Sequence, residues 1–339
     1  MISSLKCPTC GSSVSYRESL SELLSIPRIE PAFGKVAILF AGLPQIEISG
    51  DYRGSISLGD SRRPALESFT IERIPGATWH DLYSTYLSDI TKWLGLIAFS
   101  KSRYKVLVID ATDPVSVLAV AGMPKSDGTL VVALGADEAS TPVQQNSSYV
   151  AITTALRRGF EVLVFPQVLV RESLVIDQSG SIHPGMEALY RTIGKVLAEP
   201  DDLMDLLEGD GRFNINLHMA SMISSGSKRM YRTIANAVTA QGYQLPDEVK
   251  PEEVKTFYSL VWCEKSARVE FEKAFSQFRS DAYRSIIRSE CRFPGEGTQG
   301  EFDIFTVFGT GEPGILQPSV RGYEEVAKGA ANLSSSGVS

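Results

Sequence analysis

Four groups of residues in this chain carry side chains able to do chemistry. The first is Asp110-Ala-Thr-Asp113, at the end of the apolar run Tyr104–Ile109. Ligands of open α/β sheets sit at the carboxyl ends of strands, and two carboxylates with water suit Mg²⁺. An Asp before Pro114 also reads as a helix N-cap. The second is Cys7-Pro-Thr-Cys10-Gly, one knuckle of a zinc ribbon. Structural zinc takes four ligands. No second Cys-x-x-Cys exists, Cys263 and Cys291 stand alone, and His80, His183 and His218 show no paired spacing. A zinc site within one chain, a zinc site shared between two chains, a redox pair and a vestigial knuckle are the alternatives at Cys7/Cys10. The third is Arg62-Arg63, within Leu58-Gly-Asp-Ser-Arg-Arg-Pro64, able to meet an anion or simply to form a solvated turn. The fourth is His218, a possible general base with no acid marked beside it in the sequence.

The elements that must position these groups follow from apolar patterning. Lys35–Ala41, Tyr104–Ile109, Gly128–Leu134 and Glu161–Phe165 are unbroken apolar strands. A short helix from Pro114 and a helix over Asn146–Arg158 alternate with them. Strands apolar on both sides imply a parallel, Rossmann-like sheet flanked by helices. Trp79–Phe99 has helical spacing, with Leu82, Tyr86, Ile90, Trp93, Leu94 and Ile97 on one side. Residues 45–75 suit short strands or a long loop. Gly185–Leu207 reads as a long helix in which Pro200 kinks the chain or starts a second helix. Lys228–Gln241 is a further helix, Lys255–Cys263 a strand and Arg268–Arg284 a helix. Arg284–Phe293 and Glu301–Phe308 read as an antiparallel hairpin. The expected division is 1–34, an N-terminal segment with the Cys7/Cys10 knuckle and a short helix near Arg17–Leu24; 35–184, the Rossmann-like α/β domain; 185–210, a central helix; 211–320, a second α+β subdomain with a mixed sheet; and 321–339, a tail expected to be largely disordered.

Composition narrows the class. The 339 residues are 43% hydrophobic and 22% charged, with net charge −7. An acidic balance argues against a nucleic-acid binder. No apolar run approaches the ~20 residues that span a bilayer, and no signal-peptide core follows Met1, so the expected location is cytoplasmic. Walker A, Rossmann-glycine and G-x-S-x-G motifs are absent from the sequence.

The order of elements resembles the FtsZ/tubulin family. The run Ala151–Val170 is similar to the family's helix followed by "DtlivIpNd.Ll". Met186–Leu207 takes the place of its central helix, and Gly300-Glu-Phe-Asp-Ile-Phe-Thr-Val-Phe-Gly-Thr310 that of its last strand. Phe213-Asn-Ile-Asn-Leu-His-Met-Ala-Ser-Met222 resembles the synergy loop, roughly Asn-Leu-Asp-Phe-Ala-Asp, whose aspartates help position the water that attacks GTP in the neighbouring subunit. His218 and Ser221 stand where those aspartates would be. The resemblance covers about two thirds of the chain and rests on element order.

It also defines what is missing. The family grips GTP with a glycine-rich loop whose N–H groups approach the phosphates at a helix N-terminus. Here the matching stretch, Ile109–Val115, has no glycine, and Pro114 lacks an N–H. Asp113 places a carboxylate where a phosphate would sit. The turn after the first strand, Ala41-Gly-Leu-Pro-Gln45, carries a single glycine. The resemblance thus implies an assembly, scaffold or filament-regulating protein with a degenerate GTP site, partnered by itself or by another tubulin/FtsZ-like subunit, with GTP binding not expected. The alternatives are a phosphotransferase or hydrolase using Mg²⁺ at Asp110/Asp113, and a divergent GTP-binding cytoskeletal GTPase.

Overall fold

Strands that are apolar on both sides must be covered on both faces, and one large sheet meets that demand. The computed structural model describes residues 4–6, 13–15, 36–43, 52–59, 63–64, 68–74, 79–96, 102–125, 128–136, 140–166, 175–176, 182–183, 194–197, 200–224, 253–282, 286–297 and 302–310. Two short hairpins stand apart: β1 (Ser4–Lys6) with β2 (Ser13–Ser15), and β10 (Val175–Ile176) with β11 (Ile182–His183). Eleven strands form one sheet. These are β3 (Val36–Ala41), β4 (Tyr52–Gly59), β5 (Arg63–Pro64), β6 (Ser68–Glu72), β7 (Tyr104–Asp110), β8 (Thr129–Gly135), β9 (Glu161–Pro166), β12 (Leu217–Ser224), β13 (Thr256–Cys263), β14 (Arg288–Arg292) and β15 (Phe302–Gly309). Their spatial order is β14-β13-β15-β12-β9-β8-β7-β3-β4-β6-β5. All but β5 and β15 run in the same direction.

Helices cover one face: α1 (Trp79–Leu96), α2 (Pro114–Gly122), α3 (Pro142–Arg157) and α5 (Arg268–Ala282). Leu82, Tyr86, Ile90, Trp93 and Leu94 of α1 pack with Leu39, Leu107 and Val131 of the sheet. These five α1 residues match the apolar side read from spacing. On the other face lies α4 (Pro200–Gly211), with Leu203, Met204, Leu206 and Leu207 against Val106, Val132 and Leu163. Pro200 begins this helix, where its missing N–H costs nothing, and residues 194–197 are helical before it. The first turn of α4 is tied to a central strand and to an edge strand of the sheet. Tyr104 of β7 donates its hydroxyl to Asp201 at 2.9 Å, and Arg292 of β14 lies 3.3 Å from Asp202.

Two expectations change. The first is the C-terminal hairpin: β14 and β15 do not pair. They flank β13, which pairs parallel with β14 and antiparallel with β15. The reason is burial. All eight residues of β13 are buried and need a neighbour on each side, whereas Arg-Ser-Glu-Cys-Arg of β14 is half-buried throughout and suits an edge. The second concerns Phe213–Met222. It is a turn, with Asn214 at φ 58°, followed from Leu217 by strand β12 in the body of the sheet. Leu217, His218, Met219 and Ala220 are buried rather than presented as a loop. The knuckle Cys7–Cys10, the helices read near Arg17–Leu24 and Lys228–Gln241, residue Arg62 and the tail 321–339 lie outside the described residues.

Candidate functional site

The sheet reverses its winding between β3 and β7: the chain goes from β3 outward to β4 and β6, then returns to β7 on the other side. The carboxyl ends of these two strands make the crevice where open sheets bind ligands. Asp110 ends β7, and its Oδ1 accepts from the Thr112 N–H at 3.0 Å and the Thr112 hydroxyl at 2.6 Å. Asp113 caps α2, its Oδ1 accepting from the Val115 N–H at 2.8 Å. The helix N-terminus, the natural seat for an anion, is therefore taken by the chain's own carboxylate.

Gly42, just beyond β3, closes the crevice from the other side. A Cβ there would lie 2.7 Å from Asp113 Cβ and 3.0 Å from its Cγ, and φ is +71°. Only glycine accepts that backbone angle beside that neighbour. Replacing Gly42 with Ala is expected to cost about 2–3 kcal/mol of folding stability, combining left-handed strain with overpacking. Urea unfolding would measure it, and an unchanged midpoint would refute the contact. Burial raises the Asp113 carboxyl above its ordinary range. The Val115 N–H pulls it back, the Asp110 charge raises it further, and Arg73 lowers it. A phosphate placed here would meet two carboxyl groups and one nearby arginine.

As a metal site the crevice supplies two carboxylates, one of them holding Thr112. Among the described residues no group of three or more His, Cys, Asp or Glu converges. Cys263 and Cys291 do not extend a ligand set either. Burial raises the Cys263 thiol above its ordinary range and pushes that of Cys291 up to about 12, so neither is a thiolate at neutral pH. Arg63 lies in β5, with its backbone paired to Thr70.

His218 belongs to a different place. It is fully buried on β12 and faces Asp210 of α4, equally buried, with Nε2 2.9 Å from Oδ2. Thr256 of β13 donates its hydroxyl to the same oxygen at 2.7 Å, and the Tyr258 hydroxyl donates to Oδ1. The Arg288 guanidinium lies 3.9 Å from Oδ1 and donates to the Leu206 carbonyl at 3.3 Å. One carboxylate thus ties the end of α4 to three strands. Beside it, Glu161 at the start of β9 is pushed up to about 8, first by burial and then by the Asp210 and Glu208 charges. Asp210 escaped the reading of the sequence. The available signal was its place eight residues before a histidine that enters an apolar strand.

The architecture is a tubulin/FtsZ-like fold. No family model matches the sequence, and no curated protein matches it. Solved structures do. CetZ from Methanosaeta thermophila strain DSM 6194 is similar at TM-score 0.55 and 10% identity, covering 88% of this chain and 95% of that one. CetZ2 from Haloferax volcanii, in a GTPγS-bound protofilament, gives 0.57 at 13% identity, covering 86% and 99%. TubZ of Bacillus thuringiensis serovar israelensis, in a GTPγS-form protofilament, gives 0.55 at 12%, covering 89% and 93%. At such identities the likeness speaks for the fold alone.

Proposed function

We propose that this chain is a non-hydrolysing tubulin/FtsZ-like assembly protein, acting in the cytoplasm through self-association or contact with a related subunit. The CetZ2 and TubZ structures are protofilaments in GTPγS form. This chain keeps the fold, but the observation that carries the reading is the Asp113 carboxylate seated on the α2 N-terminus and packed against Gly42. Two carboxyl groups in the crevice repel a triphosphate, and Pro114 offers it no N–H. No described helix is long and apolar enough to cross a membrane.

Calorimetric titration of the purified chain with GTP and Mg²⁺ is the direct test. The expected result is no binding heat up to about 1 mM nucleotide, a limit that corresponds to less than about 4 kcal/mol of binding free energy. Micromolar binding would overturn the reading in favour of a divergent GTPase. Phosphate release abolished by Asp110→Ala would favour the Mg²⁺ enzyme instead.

A further inference from the structure

Cys7-Pro-Thr-Cys10-Gly11 has no part in the crevice or in the Asp210 cluster, and its neighbours in the chain decide between the chemistries open to it. β1 and β2 pair antiparallel with Lys6 opposite Ser13, so the chain leaves β1 and returns in β2, and both cysteines fall among the residues between. Neither strand joins the eleven-stranded sheet. A redox pair of the thioredoxin kind draws its low thiol pKa from a helix that opens at the motif. Here strand β2 begins at Ser13, soon after Cys10, which leaves no place for that helix. Two cysteines at this spacing, bracketed by the strands of a hairpin, instead make half of a tetrahedral thiolate site, which requires two ligands more.

The described part of this chain does not supply them. Cys263 is buried in the apolar cluster with Val261, Phe271 and Ile304. Cys291 stands on β14 opposite Ser259, out of register with Cys263. Burial raises both thiols, so neither is ready to ligate at neutral pH. His218 is spent on Asp210 at 2.9 Å. His80, in α1 with its ring edge-on to Trp79, and His183, in β11, are single histidines on separate elements. A second copy of this chain brings the same two cysteines and completes the set.

We infer that Cys7 and Cys10 of two copies hold one Zn²⁺ between them, a tetrathiolate that fastens the N-terminal hairpins of two chains together. The contact is isologous: a two-fold axis passes through the metal, and each copy gives the same pair of ligands that it receives. On binding, the four thiols ionise, their protons go to solvent and four Zn–S bonds form, with nothing oxidised or reduced. The completed site is anionic, and Lys6, next to Cys7 in each chain, sets a positive charge beside it. Thiolates select zinc over the hard cations Mg²⁺ and Ca²⁺. The link is made outside the large sheet, so it goes beyond the assembly function and does not rest on it.

The test is a zinc titration of the full chain in dilute solution, reduced and stripped of metal beforehand, followed by metal analysis and sedimentation equilibrium. Uptake is expected to saturate at about one Zn²⁺ per two chains, the mass to rise about twofold, and a chelator to reverse both. Co²⁺ in place of Zn²⁺ should give the absorption of a tetrahedral tetrathiolate. Acid should loosen the link, because protons compete with the metal for the thiolates. Cys7→Ser with Cys10→Ser should abolish uptake and doubling together, with circular dichroism showing the sheet intact. One Zn²⁺ per chain without a change in mass would overturn the shared site. So would uptake that survives in the double variant, or a reduced chain that takes up no Zn²⁺.

Discussion

An Asp210→Ala chain is expected to lose about 4 kcal/mol of folding stability. The carboxylate is fully buried and accepts from Thr256, His218 and Tyr258, with Arg288 close by. Removing it strands three donors without water and leaves the guanidinium without its nearest buried partner. Breaking such a network by deleting its centre costs about 3–5 kcal/mol, well above the net worth of any one hydrogen bond. Asp210→Asn keeps the shape and one acceptor, so it should lose roughly half as much. The discriminating measurement is urea unfolding of both variants followed by tryptophan fluorescence. An alanine variant within about 1 kcal/mol of wild type would mean that the cluster is not what anchors α4.

A Glu161→Gln chain is expected to be more stable than wild type, by an amount that depends on pH. The folded-state carboxyl is pushed up to about 8 from an ordinary 4.5, burial being the largest cause. Below pH 4.5 the group is protonated in both states and contributes nothing to the difference. Between those values the unfolded chain releases the proton while the folded chain keeps it. Wild type therefore loses stability as pH rises through this window and levels off above about 8. Glutamine does not titrate, so the variant's advantage grows across the same window. Solvent reaches part of the group, so we expect an advantage of about 2 kcal/mol at pH 8, below the ideal conversion of the shift. Urea midpoints at pH 5, 6.5 and 8 would test it, and an advantage that stays flat or shrinks with pH would be fatal to the idea.

Much of the fold was legible because burial writes itself into strands. Val36–Ala41, Val106–Ile109, Leu130–Leu134 and Val162–Phe165 are apolar without a break, and that pattern has one good solution. The α1 stripe was legible through its 3.6-residue period. Asp113 was legible as a cap because an Asp-Pro at a strand end leaves the backbone few choices. Two features were not. Leu217-His-Met-Ala-Ser-Met reads as part of a loop through its resemblance to the synergy loop, since a histidine on the inner face of a strand makes sense only with Asp210 in place, and that partner comes from a helix packed on the sheet. The pairing of β14 was hidden for a related reason. Residues adjacent in sequence suggested a hairpin, but the buried strand β13 needed both edges covered, a requirement set by the finished sheet rather than by any local stretch. At the crevice, the two carboxylates could be read directly. The Gly42 contact could not, because it joins loops after two strands that meet only once the sheet is built.

The pairing of β9 with β12 has a mechanical consequence. Leu217, His218 and Met219 stand in register with Val162, Leu163 and Val164, so a parallel ladder crosses from the first half of the chain to the second. Hydrogen bonds across such a parallel seam are evenly spaced and slant between the strands, and a pull along the strand direction loads them together in shear rather than one at a time. A hinge between the halves would first have to tear that seam and unseat the Asp210 pin beside it. Under tension or compression along its strands, the molecule should therefore behave as a stiff beam, carrying load from one end to the other without bending in the middle.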